Sequence, residues 1–369
     1  MALALAACGG GESTDPTPTA GTGGLDTSDY PEELQEIIEA AEEERIVNIR
    51  TSAMTDQEKE ALEDMFAERF GFTLEIERFI QHPSDYVTLL AQEARAGEVQ
   101  SDVAKGASVP NMLPTIDEGG MQQVDWMGTF GPLFDDAGQA QLQRAVDATD
   151  PSIVEACLVD TTNILPFVFN PSIVSREDMP TTWDELLDPQ YSGLIAGQDG
   201  GFPFGTLSLS WGEEATLEYA RALRDNDIRV VRGGSAGIIE ALNAGEVGIG
   251  AGVSIVTTLE AIEEGAPLDF IFPSDIYPYF DVNLCALDGP RPNMATLFLA
   301  WYATEGRPAI SGPPIFAMNL IDEGGYLQEL FAEQSLGDTD SVTFVGPEDI
   351  AQRTDVRGKV LEIWTGVRD

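Results

Sequence analysis

The sequence contains a single histidine, 3 cysteines and only 19 Lys plus Arg in 369 residues. Each shortage excludes something. With no Cys-x-x-Cys pair and no Cys/His cluster, zinc sites and histidine-based catalysis lack their raw material. His82, in Gln81-His82-Pro83-Ser84, reads as an ordinary loop residue. Set against 64 Asp plus Glu, the few basic residues leave a net charge of −45. So acidic a surface repels phosphate backbones and anionic lipid heads, which removes nucleic acid as a partner. The acidity speaks to solubility, as in a salty habitat, and not to the chemistry of a site. No apolar run approaches the ~18 residues that span a bilayer, so this chain does not by itself transport anything across one.

What is present is a chain able to fold. Hydrophobic residues make up 43% of it, with 17 Phe and 5 Trp, which supports a core and argues against disorder. A length of 369 points to two lobes or one large α/β domain. Residues 1–8, MALALAAC, read as the end of a secretory h-region running into a small-residue cleavage site. Leu5-Ala6-Ala7-Cys8 resembles the bacterial lipobox, in which the cysteine becomes the lipidated first residue of the mature protein. The basic n-region is missing, since no Lys or Arg precedes Cys8. Residues 9–30 are rich in Gly, Thr, Ser, Asp and Pro and are expected to form a flexible tether. Cys157 and Cys285 remain as a pair. An exported compartment favours a disulfide, while their apolar runs, IVEACLV and VNLCAL, also suit two buried free thiols.

Beyond the tether, apolar residues at Leu34, Ile37, Ile38 and Ala41 predict a helix opened by Pro31. A strand over 46–50, a small polar loop over 51–55 and a second helix through Phe70 follow, then a strand over 72–76. This β-α-β order signals a parallel sheet with crossover helices. Further on, Thr181 and Glu185 have the spacing of a capped helix start stopped by Asp188-Pro189. One helix is expected from about 206 to 224, one ending at Gly245 and one over 255–264, with strands between them. After a strand at 281–287 the remainder reads as mainly helical.

The segment TTWDELLDPQYSGLIA, residues 181–196, resembles family 1 extracellular solute-binding proteins of ABC importers, whose relatives bind ferric iron, thiamine, phosphonates or polyamines. There a short Trp-bearing helix, Asp-Pro, an aromatic and a Gly lead into a strand. Other pieces are similar in the same order: IVNIRTSAMTDQEKEALEDMFAERFGFTLEI, SDVAKGAS, ALNAGEVGIGAG, EEGAPLDFIFP and NMATLFLAWYATEGRPA. Together they span roughly residues 35–320. The resemblance implies an α/β, two-lobed type II periplasmic-binding fold, each lobe a mixed sheet flanked by helices, with the ligand cleft between lobes. Lobe one would be residues 31–165 plus 281–369, and lobe two residues 168–275, with hinge crossovers near 166–170 and 277–282. It further implies a lipid-anchored, exported monomer that captures a small polar, oxyanion-bearing ligand by hinge closure. No cofactor, resident metal or covalent chemistry is implied; the partners would be the small molecule and the transmembrane subunits of a permease.

Loops entering helix N-termini at the carboxyl ends of strands are where such sheets bind ligands. Three here are small and polar: Thr51-Ser52-Ala53, Gly205-Thr206 after Gly200 to Phe204, and Gly233 to Ala236 with Ser235. Their N–H groups and hydroxyls suit carboxylate or phosphate oxygens, although Ser, Thr and Gly are also ordinary helix caps. By the resemblance, SDVAKGAS adds Ser108 to the ligand loops. Phe202, Phe204, Tyr277 and Tyr279 sit beside a loop or crossover, where rings would cover an organic ligand or pack in the core. Two alternatives stand beside this. A ferric-iron variant would use Tyr277 or Tyr279, since the segment matching the adjacent tyrosines of iron-binding relatives, Val253 to Thr258, holds none. An exported hydrolase would need a nucleophile and base, and no Gly-x-Ser-x-Gly elbow is present.

Overall fold

A computed structural model describes residues 25–366 except 52, 53, 82, 314, 315, 317, 337, 338 and 345. Cys8, the cleavage site and most of the expected tether therefore lie outside the described residues, as do Ser52, Ala53 and His82. The chain opens with α1 (Glu32–Glu44), β1 (Ile46–Thr51), α2 (Asp56–Phe70), β2 (Glu75–Ile80) and α3 (Pro83–Ala96). Then come β3 (Val103–Ala107), α4 (Val109–Asp117), α5 (Asp136–Ala148), β4 (Cys157–Ile164) and β5 (Phe167–Phe169). The middle holds β6 (Ile195–Gln198), α6 (Phe202–Trp211), α7 (Glu213–Asp225), β7 (Arg229–Val231), α8 (Gly234–Asn243), β8 (Ile249–Ala251) and α9 (Ile255–Glu263). The last third contains β9 (Asp269–Ile271), β10 (Ile276–Ala286), α10 (Pro292–Trp301), α11 (Arg307–Ile310), α12 (Tyr326–Glu333), β11 (Asp340–Val342) and α13 (Gly346–Thr365).

These strands make two sheets. The first has the order β11-β10-β3-β1-β2, with β4 also pairing to β10; the second has the order β7-β6-β8-β5-β9. Strands β1, β2 and β3 are mutually parallel, as crossover helices require. Helix α2 starts where the Thr55 hydroxyl accepts the Glu58 N–H at 3.0 Å. It buries Leu62, Phe66 and Phe70 against the first sheet, and Phe66 meets Trp301 edge-on at 5.1 Å.

In the second unit, Glu185 reaches back to accept the Thr181 N–H at 2.7 Å while its own N–H is accepted by Thr182. That capping box opens a single 3₁₀ turn, Asp184–Leu187. Its Trp183 is fully buried among Phe167, Phe204, Trp211 and Tyr219.

Two expectations are corrected. The helix expected over 206–224 is two helices, broken at Gly212, whose φ of 81° no helix accommodates. Its first half starts at Phe202, so Gly205 and Thr206 lie inside a helix and not in a loop. Nor does the segment 281–369 stay with the first sheet. Helix α13 packs on α6 and α7, burying Val356, Val360 and Trp364 in the core around Trp183. Helix α12 likewise sends Leu327 and Leu330 into a core shared with Ile164 of β4 and with Val168 and Ile238 of the second unit. The apolar stripe of each helix was visible in sequence, but its destination depends on which sheet the chain has returned to.

Strands β4 and β10 connect the two sheets as an antiparallel ribbon, paired from Cys157↔Cys285 to Ile164↔Tyr279. A bulge between Val282 and Asn283 interrupts the ladder. At the first-sheet end the Cys157 and Cys285 sulfurs are joined across a sequence separation of 128. Closing so long a loop restricts the unfolded chain strongly. Replacing both cysteines by alanine should lower unfolding stability by about 2–5 kcal/mol in denaturant titrations. A double variant as stable as the parent would show that the bond contributes nothing.

Candidate functional site

The crossover ribbon carries the site. In antiparallel strands neighbouring pairs point to opposite faces. On one face lie Thr162↔Asp281 and Ile164↔Tyr279, and on the other Asn163↔Phe280. The second face is tied to the second unit: the Ser254 hydroxyl donates to the Asn163 amide oxygen at 2.9 Å, and Phe280 meets Phe202 edge-on at 5.1 Å. The first face floors a cavity of about 390 Å³.

The cavity floor is polar, from Thr162, Tyr279, Asp281 and Asn283. Asp147 and Asp150, at and just after the end of α5, line one wall, Asn319 another, and Val109 and Phe344 close it. Among the described residues that line it there is no Lys or Arg. The Thr162 hydroxyl donates to the Asp281 carboxylate at 2.6 Å. Burial nevertheless pushes the Asp281 carboxyl up to about 6, because desolvation outweighs that hydrogen bond and the Arg307 charge. Burial likewise pushes the Tyr279 phenol up to about 12, helped by the neighbouring Asp281 charge. The arrangement offers carboxylates, amide and hydroxyl acceptors, and two aromatic rings. It is suited to hold a positive charge.

The residues expected from sequence are only partly gathered here. Tyr279 lines the cavity; Tyr277 is buried against Phe331 at 5.2 Å, its phenol raised by burial. Thr51 is buried at the end of β1, and Ser108 is the half-buried N-cap residue of α4, next to Val109. Phe204 is a core residue between Trp183 and Trp364. Gly205 lets α13 approach α6: a Cβ there would meet Arg357 Cγ at 2.4 Å and the Arg353 carbonyl at 2.7 Å. Thr206 is fully buried and accepts from Arg353 Nε at 3.3 Å. The Ser235 hydroxyl accepts the Ser254 N–H at 3.0 Å and the Gln198 amide at 3.2 Å, while Ala236 is exposed. Sequence reasoning missed Thr162, Asp281, Asn283, Asn319 and Phe344. The usable signal was Tyr279, Asp281 and Asn283 at every second position, a polar face on a strand that begins and ends apolar.

Residues 121–281 match the family model for bacterial extracellular solute-binding proteins. No curated protein sequence matches the chain. Among solved structures, the substrate-binding protein of an ABC transporter from Agrobacterium tumefaciens is 14% identical, with 87% of this chain and 94% of that one covered and a TM-score of 0.64. The spermidine/putrescine ABC transporter substrate-binding protein of Streptococcus pneumoniae is 15% identical over 87% and 99%, with a TM-score of 0.61. Apo ferric ion-binding protein A of Pasteurella haemolytica is 14% identical over 87% and 97%, again at 0.61. The two sheets flanked by helices are the type II periplasmic-binding-protein fold, and the matched family is one of binding proteins, not enzymes.

Ser235→Ala would leave the Ser254 N–H and the Gln198 amide short of an acceptor. A loss of about 1–3 kcal/mol in unfolding stability is expected, read by thermal or urea melting. An unchanged melt would show that Ser235 does not brace the Ser254 loop.

Proposed function

We propose that this chain is the extracytoplasmic solute-binding component of an ABC importer and that its ligand is a small organic cation, of the aliphatic amine class. One observation carries the ligand class: the cavity on the crossover ribbon has Asp147, Asp150 and Asp281 at its walls and floor, Tyr279 and Phe344 beside them, and no basic side chain among its described lining residues. An ammonium group is matched there by carboxylates and by ring faces. The matched family and the fold support capture and delivery as the task, and the spermidine/putrescine-binding neighbour is consistent with an amine. A ferric ligand has less support, because Tyr277 is buried in apolar packing. Among the described residues, no three His, Cys, Asp or Glu side chains stand together as a metal-binding group.

Binding at the ribbon would couple ligand to hinge, since Thr162 on β4 and Tyr279 and Asp281 on β10 floor the cavity. Cys8 is the anchor to the outer face of the cytoplasmic membrane, and the permease subunits are the partners of the loaded monomer. Cys8→Ser should move the protein from the membrane fraction to the soluble exported fraction; retention in the membrane would end the anchor assignment.

The ligand class is tested by calorimetric titration with putrescine. Asp281→Asn should weaken binding by about tenfold to a hundredfold, the worth of one hydrogen bond to a charged group. The pH dependence has a definite sign. Without ligand the Asp281 carboxyl is held above its ordinary value of 3.8, at about 6, so it takes up a proton below that pH. A bound cation needs it ionised, so affinity should be level above about pH 7 and fall by up to about tenfold per pH unit below 6. Putrescine and its homologues all failing to bind, or binding that strengthens as pH falls, would overturn the amine reading.

A further inference from the structure

A buried arginine without a carboxylate is an anomaly in a chain with 64 Asp plus Glu against 19 Lys plus Arg. Arg353, on α13, is 6% exposed and takes part in none of the ion pairs within 4.0 Å among the described residues. Burial pushes its guanidinium down to about 9, and the like charge of Arg357 adds to the desolvation. What surrounds it is aromatic. Its Cζ lies 4.4 Å from the ring centroids of both Phe202 and Phe344, and its Nε donates to Thr206 Oγ1 at 3.3 Å. A planar guanidinium stacks on ring faces in a way that the compact ammonium of lysine does not.

The two rings serve different places. Phe344, between β11 and α13, closes the cavity on the ribbon and is itself buried. Among the described residues it belongs to none of the hydrophobic cores, and the cation over its face is Arg353. Phe202 opens α6 and meets Phe280 edge-on at 5.1 Å, on the face of the ribbon turned away from the cavity. Arg357, one turn along α13, also lies over Phe202, at 5.1 Å, and its Nε donates to the Gly200 carbonyl at 2.8 Å. Helix α13 is thereby fastened to the start of α6. The series Phe280, Phe202, Arg353, Phe344 runs from the back of β10 to a wall of the cavity. The floor of that cavity is the front of the same strand, at Tyr279 and Asp281.

We infer that Arg353 is a positioning residue of the ribbon cavity: stacked on Phe202, its guanidinium holds the Phe344 ring in place as a wall facing the Tyr279–Asp281 floor. The inference rests on reading that cavity as the ligand site. Arg353 is not among the residues that line the cavity, so it acts through the ring it carries. Without the guanidinium plate, Phe344 has no hydrophobic core to lean on, and its ring is released to other rotamers. Either folding into the cavity or leaving it changes the space open to a carbon chain beside the Asp281 carboxylate.

Two measurements on the full chain test this, the first without ligand. Fluorine NMR is recorded with 4-fluorophenylalanine incorporated, and the Phe344 line is assigned by its loss in Phe344→Leu. That line should be single and shifted in the parent, and should move toward the position of the free amino acid in Arg353→Lys, which keeps charge and stem without the plane. Arg353→Leu, which keeps apolar bulk, should move it as well, and a melting curve on each variant shows that it is folded. A Phe344 line unmoved in both variants overturns the inference, whether or not an amine binds. The second measurement is calorimetric titration with putrescine. Arg353→Lys and Phe344→Leu should each weaken binding by about threefold to tenfold, and the double variant by no more than one of them alone. An unaltered affinity in Arg353→Lys, or losses that multiply in the double variant, would also overturn it. Putrescine failing to bind the parent would end the amine reading, and the fluorine line would still decide what holds Phe344.

Discussion

The structure depends on a two-stranded ribbon that must be shared by two cores. Strands β4 and β10 leave the first sheet side by side, cross to the second, and are paired along the way. Over residues 279–282, between its β11 and β3 pairings, β10 pairs only with β4, and the two-stranded ribbon there has both faces to satisfy. One face is bound to the second unit through Asn163 and Phe280. The other turns Thr162, Tyr279 and Asp281 to the cavity. The residues that join β4 to β10 therefore also floor the cavity.

The ribbon is rooted by buried charge. Asp160, on β4, is reached by Lys105 Nζ at 3.2 Å and by the Tyr302 hydroxyl at 2.8 Å; its carbonyl accepts from Arg307 at 3.0 Å. Arg307 in turn is held bidentate by Asp322 at 2.8 and 3.0 Å. Although burial works against its charge, the Asp160 and Glu58 carboxylates, with Tyr302, hold Lys105 well above the usual lysine range. Charges this deep contribute little net stability, but removing one partner strands the other, so the network fixes where the ribbon begins. Above this root a bulge between Val282 and Asn283 interrupts the ladder.

Much of this was readable from the residues. The β-α-β opening and the Thr181–Glu185 cap follow from periodicity and capping chemistry. What was not readable has common physical causes. Caps and ligand grips use the same small residues, so the sequence alone did not show that the Ser235 and Thr206 oxygens accept from Ser254, Gln198 and Arg353. Helix α13 has an apolar stripe that fits either lobe, and only the return path of the chain decides between them. Asp281 was hidden among 64 acidic residues, and only its place on the ribbon distinguishes it.

The most direct test of the account is a crystal structure of the chain grown with putrescine. The account predicts an amine nitrogen within hydrogen-bond distance of the Asp281 carboxylate, in the cavity floored by Thr162 and Tyr279. Density for the amine at some other place on the protein, with the ribbon cavity holding only water, would contradict it.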